Sequence, residues 1–257
     1  MKMISFCNKK GGVGKTTLCK NVAYKLADDN KKVLLIDLDT QASLSYLLQY
    51  ENIDMSKSLH KIIASDCEIP INKVIQPTKY KNIDIIVGGE TLRKTLPIMR
   101  EIYDNHNWYL VGLQVYKKNI DIFDSYDYVL IDYPPTTDDL SLNWLIFSDL
   151  IIVPTNCDST SFKGILDLNN NLELIITELK RNKPILKIVF NNISDNDNRT
   201  KIMKWLNKYD FSKLLSNVEI KTSEVFTTSN NDFISIWENP YYWRQKQAYE
   251  ELIKEIK

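Results

Sequence analysis

The sequence predicts an α/β protein, a mainly parallel twisted sheet flanked by helices on both faces, and three observations carry that prediction. Short apolar runs recur at Met3–Cys7, Val33–Ile36, Ile83–Val87, Tyr128–Ile131, Leu150–Val153 and Ile185–Phe190, a length that suits strands buried on both faces. Most are separated by stretches of helical periodicity, the alternation typical of parallel sheets. Glycine is scarce, with seven in 257 residues, yet three of them (Gly11, Gly12 and Gly14) lie between the first strand and the first helix.

Taken in order, Met3–Cys7 is the first strand. Thr16–Ala27 follows as a helix, because Leu18, Val22, Ala23 and Leu26 fall on one face. Asp54–Pro77 and Thr91–Lys118 read as helical insertions around the strand at Ile83–Val87. Leu140–Phe147 and Phe162–Leu179 are helical between later strands, Asn192–Asn198 is a polar loop, and Tyr241–Ile256 is a closing helix. No repeat or linker breaks the pattern, so residues 1–257 are expected to form a single domain.

Hydrophobic residues make up 44% of the chain, too many for disorder. No run of about 18 apolar residues is present to span a bilayer. The N-terminus lacks the apolar core and small-residue cleavage site of a signal peptide. The four cysteines form no C-x-x-C pair, which speaks against disulfide frameworks and thiolate metal sites. A cytoplasmic protein is expected. The 33 basic and 33 acidic residues cancel overall, but between Lys180 and Lys221 ten Lys/Arg face four Asp/Glu. Such a basic sector suits either a polyanion or a solvated lysine surface. His60 and His106 have no partner at a recognisable spacing and read as surface residues. Cys7 and Cys19 flank the glycines and read as small buried side chains.

The segment Asn8-Lys9-Lys10-Gly11-Gly12-Val13-Gly14-Lys15-Thr16-Thr17 has the composition of a phosphate cradle. Glycines let successive backbone N–H groups converge on phosphate oxygens, and the helix N-terminus adds its positive end. Lys15 suits the β/γ-phosphates and Thr16 suits Mg²⁺. A dinucleotide site is the nearest rival, with Asp37 as its ribose carboxylate, but Thr17 stands where its third glycine would be. The usual G-x-x-x-x-G-K-[ST] pattern is also broken, since Lys9 occupies the first glycine position.

Lys10-Gly11-Gly12-Val13-Gly14-Lys15-Thr16-Thr17 closely resembles the deviant Walker A motif of the ParA/MinD ATPases, a family of P-loop NTPases. Asp37-Leu38-Asp39-Thr40-Gln41 is similar to the family's D-x-D-P-Q segment. Asp132-Tyr133-Pro134-Pro135 resembles its Walker B strand end and switch, and Ile151-Ile152-Val153-Pro154 with Ser161-Phe162-Lys163-Gly164 adds a fourth match. The likeness runs through residues 2 to about 190 and loosens beyond. Thr40 stands where the family usually has proline.

The resemblance implies an ATP- and Mg²⁺-dependent ATPase, slow and partner-stimulated. Lys10 is then the signature lysine that reaches the partner subunit's nucleotide in an ATP-sandwich homodimer. Lys15 serves the phosphates, and Asp39 positions the attacking water. Thr16, Asp37 and Asp132 attend the metal, and Gly11, Gly12, Val13, Gly14, Thr17 and Asn191 (at the adenine) complete the nucleotide contacts. Family members that segregate DNA bind it through C-terminal basic residues, which implies Arg199, Lys201, Lys204, Lys208 and Lys221 here. Lys201, Lys204 and Lys208 share a face if Asp197–Lys208 is helical.

The implied function is a partition ATPase on nucleoid DNA: the dimer binds non-specific duplex and is released by a ParB-like partner. Because the chain begins almost at its first strand, the N-terminal helix-turn-helix extension of some larger members is not expected. A MinD-like membrane-associated factor is an alternative, but Glu250, Glu251 and Glu255 in the tail would repel anionic lipid, and no membrane partner is expected. A metabolic ATP-dependent ligase on the same scaffold is a third, and leaves the basic sector unexplained.

Overall fold

The computed structural model describes residues 1–48, 52, 54–102, 110–136, 139–180, 182–194 and 199–257. Its centre is one eight-stranded sheet in the order β3-β4-β2-β5-β1-β6-β7-β8. The strands are β1 (Lys2–Phe6), β2 (Val33–Asp37), β3 (Gln76–Pro77), β4 (Ile83–Ile86), β5 (Tyr128–Asp132), β6 (Leu150–Thr155), β7 (Ile185–Ile193) and β8 (Leu215–Lys221). All neighbours pair in parallel except β3, which runs antiparallel to β4 at the edge.

The central strands β2, β5 and β6 are buried at every position, which is why they read as continuous apolar runs. Alternate residues feed two cores. Ile4, Phe6, Leu35 and Leu130 face α1 (Lys15–Asp28), α2 (Ser43–Leu48) and, behind them, α11 (Trp243–Ile256). Met3, Leu34, Ile36 and Ile131 face the other layer. That layer comprises α3 (Leu59–Ile63), α4 (Thr95–Ile102), α5 (Val111–Lys118), α6 (Ile120–Asp124), α7 (Asp139–Leu145), α8 (Ser159–Leu179) and α9 (Arg199–Lys208). The short α10 (Glu224–Asn231) packs with the first layer.

The predicted strands are all present, each with its bounds shifted by a residue or more. Asp54–Pro77 is not a helical insertion throughout: only α3 and a 3-10 turn are helical, and its end pairs as β3. Thr91–Lys118 is helical over α4 and α5, with 103–109, including His106, outside the described residues. The expected loop at Asn192–Asn198 begins later, because β7 continues to Ile193. Residues 195–198 and Arg181 lie outside the described residues. β8 escapes the apolar-run criterion because its inward and outward positions alternate through Ser216, Val218 and Ile220. The closing helix packs Tyr249, Leu252, Ile253 and Ile256 into the core.

Candidate nucleotide site

In a parallel sheet every strand ends on the same side, and ligands bind beyond those ends where the strand order reverses. Here that place is the end of β1, between β5 and β6. Phe6 registers with Asp132, and Asp132 registers with Asp37 on β2. The loop that leaves β1 therefore begins beside two carboxylates far from it in sequence.

The loop turns through Gly12 (φ 74°) and Gly14 (φ 85°), left-handed conformations that glycine adopts without steric cost. Gly14 caps α1, and no side chain caps the helix start, so its first-turn N–H groups remain available to an anion. Two asparagines clamp the loop. Asn8, fully buried, donates from Nδ2 to the Pro154 carbonyl at 2.8 Å and accepts from the Lys10 N–H at 3.0 Å. Asn191 donates from Nδ2 to the Val13 carbonyl at 2.7 Å. Gly164 on α8 leaves the room that Asn8 needs, since a Cβ there would lie 2.1 Å from Asn8 Oδ1.

Lys15 is buried and donates from Nζ to the Lys10 carbonyl at 3.1 Å. Burial lowers its pKa, partly opposed by Asp132. The Thr16 hydroxyl donates to Asp132 Oδ2 at 2.6 Å, whereas Asp132 Oδ1 is buried with no hydrogen-bond partner among the described residues. Burial, reinforced by the charge of Asp37, pushes the Asp132 carboxyl well above its usual range. A divalent cation fits this donor set: hard oxygens, one of them orphaned, and negative charge awaiting compensation. Among the described residues no cluster of three or more His, Cys, Asp or Glu could hold a metal by itself, so phosphate and water oxygens would complete the shell.

Asp37 is engaged differently. Its Oδ1 accepts the Asp39 N–H, and its Oδ2 accepts both the N–H and the hydroxyl of Ser45. The Asp39 carboxylate is half-buried, with Oδ1 accepting from the Gln41 N–H at 2.9 Å. Lys10 points along the outside of the loop, where its ammonium pairs with Asp158, the N-cap of α8. Beside it runs an open groove of about 710 Å³ lined by Lys9, Lys10, Pro135, Thr136, Lys163 and Gly164.

Several members of the basic sector sit in ion pairs. Arg199 pairs with Glu219 at 2.6 Å, Lys187 with Glu255 at 2.8 Å, and Lys183 and Lys213 with Glu173 and Asp210. On α9, Ile202 and Leu206 are buried while Lys201, Lys204 and Lys208 are exposed. Lys221, at the end of β8, is exposed. Arg199 is thus engaged with Glu219 on β8, a pairing invisible in charge counts.

Ser45, Gly88 and Asp158 form no part of the site predicted from sequence, and Asn8 and Gly164 enter that prediction only as members of motifs, with no role of their own. Asp158 before Ser159-Thr160-Ser161 carried a readable capping signal, and the pair Gly88-Gly89 stood out in a glycine-poor chain.

A glycine loop feeding a helix at the topological switch, a lysine and threonine at the helix start, and strand-end carboxylates define a P-loop nucleotide-binding protein. A model of the AAA domain family matches residues 1–188. A virulence plasmid ParA family protein of Chlamydia psittaci is 33% identical over 191 residues, 74% of this chain and 69% of that protein. Other curated relatives are spanned over 52% to 67% of their length. A putative plasmid partition protein from Borrelia burgdorferi, bound to AMPPNP, is 25% identical with a TM-score of 0.74 and 99% of both chains covered. Apo McdA from Cyanothece, 18% identical, shares the fold over all of both chains with a TM-score of 0.84. The chain belongs to the ParA/MinD family of P-loop ATPases.

Proposed function

We propose that this chain is a DNA-partition ATPase: ATP closes a sandwich dimer, the dimer binds duplex DNA without sequence preference, and hydrolysis stimulated by a ParB-like partner releases it. The observation that carries the reading is the division of labour between two lysines. Lys15 is buried inside the loop, whereas Lys10 lies outside it on the open groove, its ammonium paired with Asp158. A lysine so placed is surplus to its own site and available to a second copy docked on that groove.

ATP with Mg²⁺ would supply the phosphoryl group and the ion that neutralises it. Lys15 and the N–H groups of residues 11–17 bind the phosphates, with Asn191 beside the loop at the base. Thr16 and Asp132, with Asp37 behind, hold the ion's shell, and Asp39 orients the attacking water. The exposed row Lys201, Lys204 and Lys208, with Lys221, supplies phosphate contacts that a two-fold dimer doubles. The membrane alternative is disfavoured because the apolar face of α11 is spent on the core and Glu250 and Glu251 face outward. No described helix is long and apolar enough to cross a membrane. A cytoplasmic, nucleoid-associated location follows from this reading.

The test is binding to random-sequence duplex with ATP, with ADP and without nucleotide, at low and moderate salt. Salt-sensitive binding that needs ATP and disappears in Lys10→Ala and Lys15→Ala is expected. A chain that binds ATP and ignores DNA in every state would refute the partition reading.

A further inference from the structure

Hydrolysis in the reading above depends on where Asp39 sits, and a ring of buried hydrogen bonds holds its loop. Asp37 Oδ1 accepts the Asp39 N–H at 3.0 Å. Asp37 Oδ2 accepts the Ser45 N–H at 2.9 Å and the Ser45 hydroxyl at 2.7 Å. The same hydroxyl oxygen accepts the Gly88 N–H at 3.0 Å, and the Gly89 N–H donates to the Asp39 carbonyl at 3.0 Å. The ring joins the end of β2, the Asp39 loop, α2 and the turn after β4. It has no slack: a Cβ at Gly88 would lie 2.5 Å from the Asp39 carbonyl oxygen and 2.8 Å from Asp37 Cγ.

Ser45, fully buried on α2, is the member whose chemistry is least replaceable. A hydroxyl carries one proton and two lone pairs. The proton goes to the carboxylate and a lone pair receives Gly88, so one small group orients both the acid and the turn. Alanine would take a donor from a buried carboxylate and leave a buried N–H unpaired.

We infer that Ser45 is a positioning residue for Asp39, fixing the Asp37 carboxylate and the Gly88-Gly89 turn between which the Asp39 backbone is held. The inference rests on the ATPase reading. It differs from a merely structural serine in one respect: its loss should act on turnover far more than on nucleotide binding, because the residue 8–17 loop and Asp132 make none of these bonds, and Asp37, which does, stands behind Thr16 and Asp132 at the ion.

The experiment measures steady-state ATP hydrolysis with Mg²⁺ and, in parallel, the affinity for a fluorescent mant-ATP. It compares the wild type, Ser45→Ala, Ser45→Thr and Ser45→Cys, each checked by its thermal midpoint. Ser45→Ala is expected to lower kcat about 10- to 100-fold, the scale of an ångström-level misplacement, with KM and mant-ATP affinity within about threefold. Ser45→Thr, which keeps the hydroxyl, restores most of kcat. Ser45→Cys, close in shape and a weaker donor, falls between.

Wild-type turnover in folded Ser45→Ala, an equal loss of affinity and kcat, or a folded threonine variant no better than alanine would each overturn the inference. If Ser45→Ala does not fold, the cysteine variant decides, since wild-type kcat there overturns the inference and a lowered kcat at unchanged KM supports it. A wild-type chain that binds mant-ATP without hydrolysing it refutes the ATPase reading itself, and this inference with it.

Discussion

Replacing Gly164 by alanine sets two effects of opposite sign against each other. Gly164 lies inside α8, where alanine gains about 1 kcal/mol of helix propensity. The new Cβ, however, would stand 2.1 Å from Asn8 Oδ1 and 3.2 Å from its Cγ. Asn8 must then retreat by about 1 Å to reach van der Waals separation. Its two hydrogen bonds, 2.8 Å to Pro154 and 3.0 Å from Lys10, stretch out of range. Each buried group left unpaired costs about 1–3 kcal/mol, so the net destabilisation is about 1–5 kcal/mol once the helical gain is subtracted. Urea unfolding of the nucleotide-free chain measures it, and a mant-ATP titration should show weakened binding as the loop shifts. A Gly164→Ala protein about 1 kcal/mol more stable than the wild type would refute the reasoning, because only the helical term would have survived.

Two further outcomes are expected. Substituting Lys201, Lys204 and Lys208 together by alanine should flatten the dependence of log K for duplex DNA on log salt by about 3 per chain, at about 0.9 per phosphate contact; an unchanged slope would place the DNA face elsewhere. The Asp37 carboxyl is pushed up to about 6, mainly by burial and against the lowering effect of its hydrogen bonds from Ser45 and Asp39. Its unfolded value is about 4, so the folded chain binds the proton more tightly. Without nucleotide and in EDTA, this carboxyl should therefore make stability fall as pH rises from about 4 through about 6, by up to about 3 kcal/mol. Asp37→Asn should remove that part of the decline in denaturation curves at the two ends of the window, and equal declines in both proteins would contradict the assignment.

How much of the molecule could be read from its sequence follows from how local each feature is. The phosphate loop is contiguous, from Asn8 to Thr17, and its glycines, lysines and threonines announce their chemistry without any tertiary information. The central strands were legible for the same reason: burial on both faces imposes an unbroken apolar run on β2, β5 and β6. β8 and β3 lie towards the two edges of the sheet, where burial is partial, and they left only an alternating pattern or two residues of pairing.

What tertiary structure alone decided are the contacts between residues far apart along the chain. Asp37 and Asp132 become neighbours because β2 and β5 pair in register. Asn8 is clamped because Gly164 lacks a Cβ, and the loop is braced by Asn191 from β7. The same holds for charge. Composition shows ten cations between residues 180 and 221, but only the fold pairs Arg199 with Glu219 and leaves Lys201, Lys204 and Lys208 facing outward. Residue types at close spacing determine what a segment can bind, whereas the partners that orient it are chosen by strand order and packing, which no short stretch of sequence encodes.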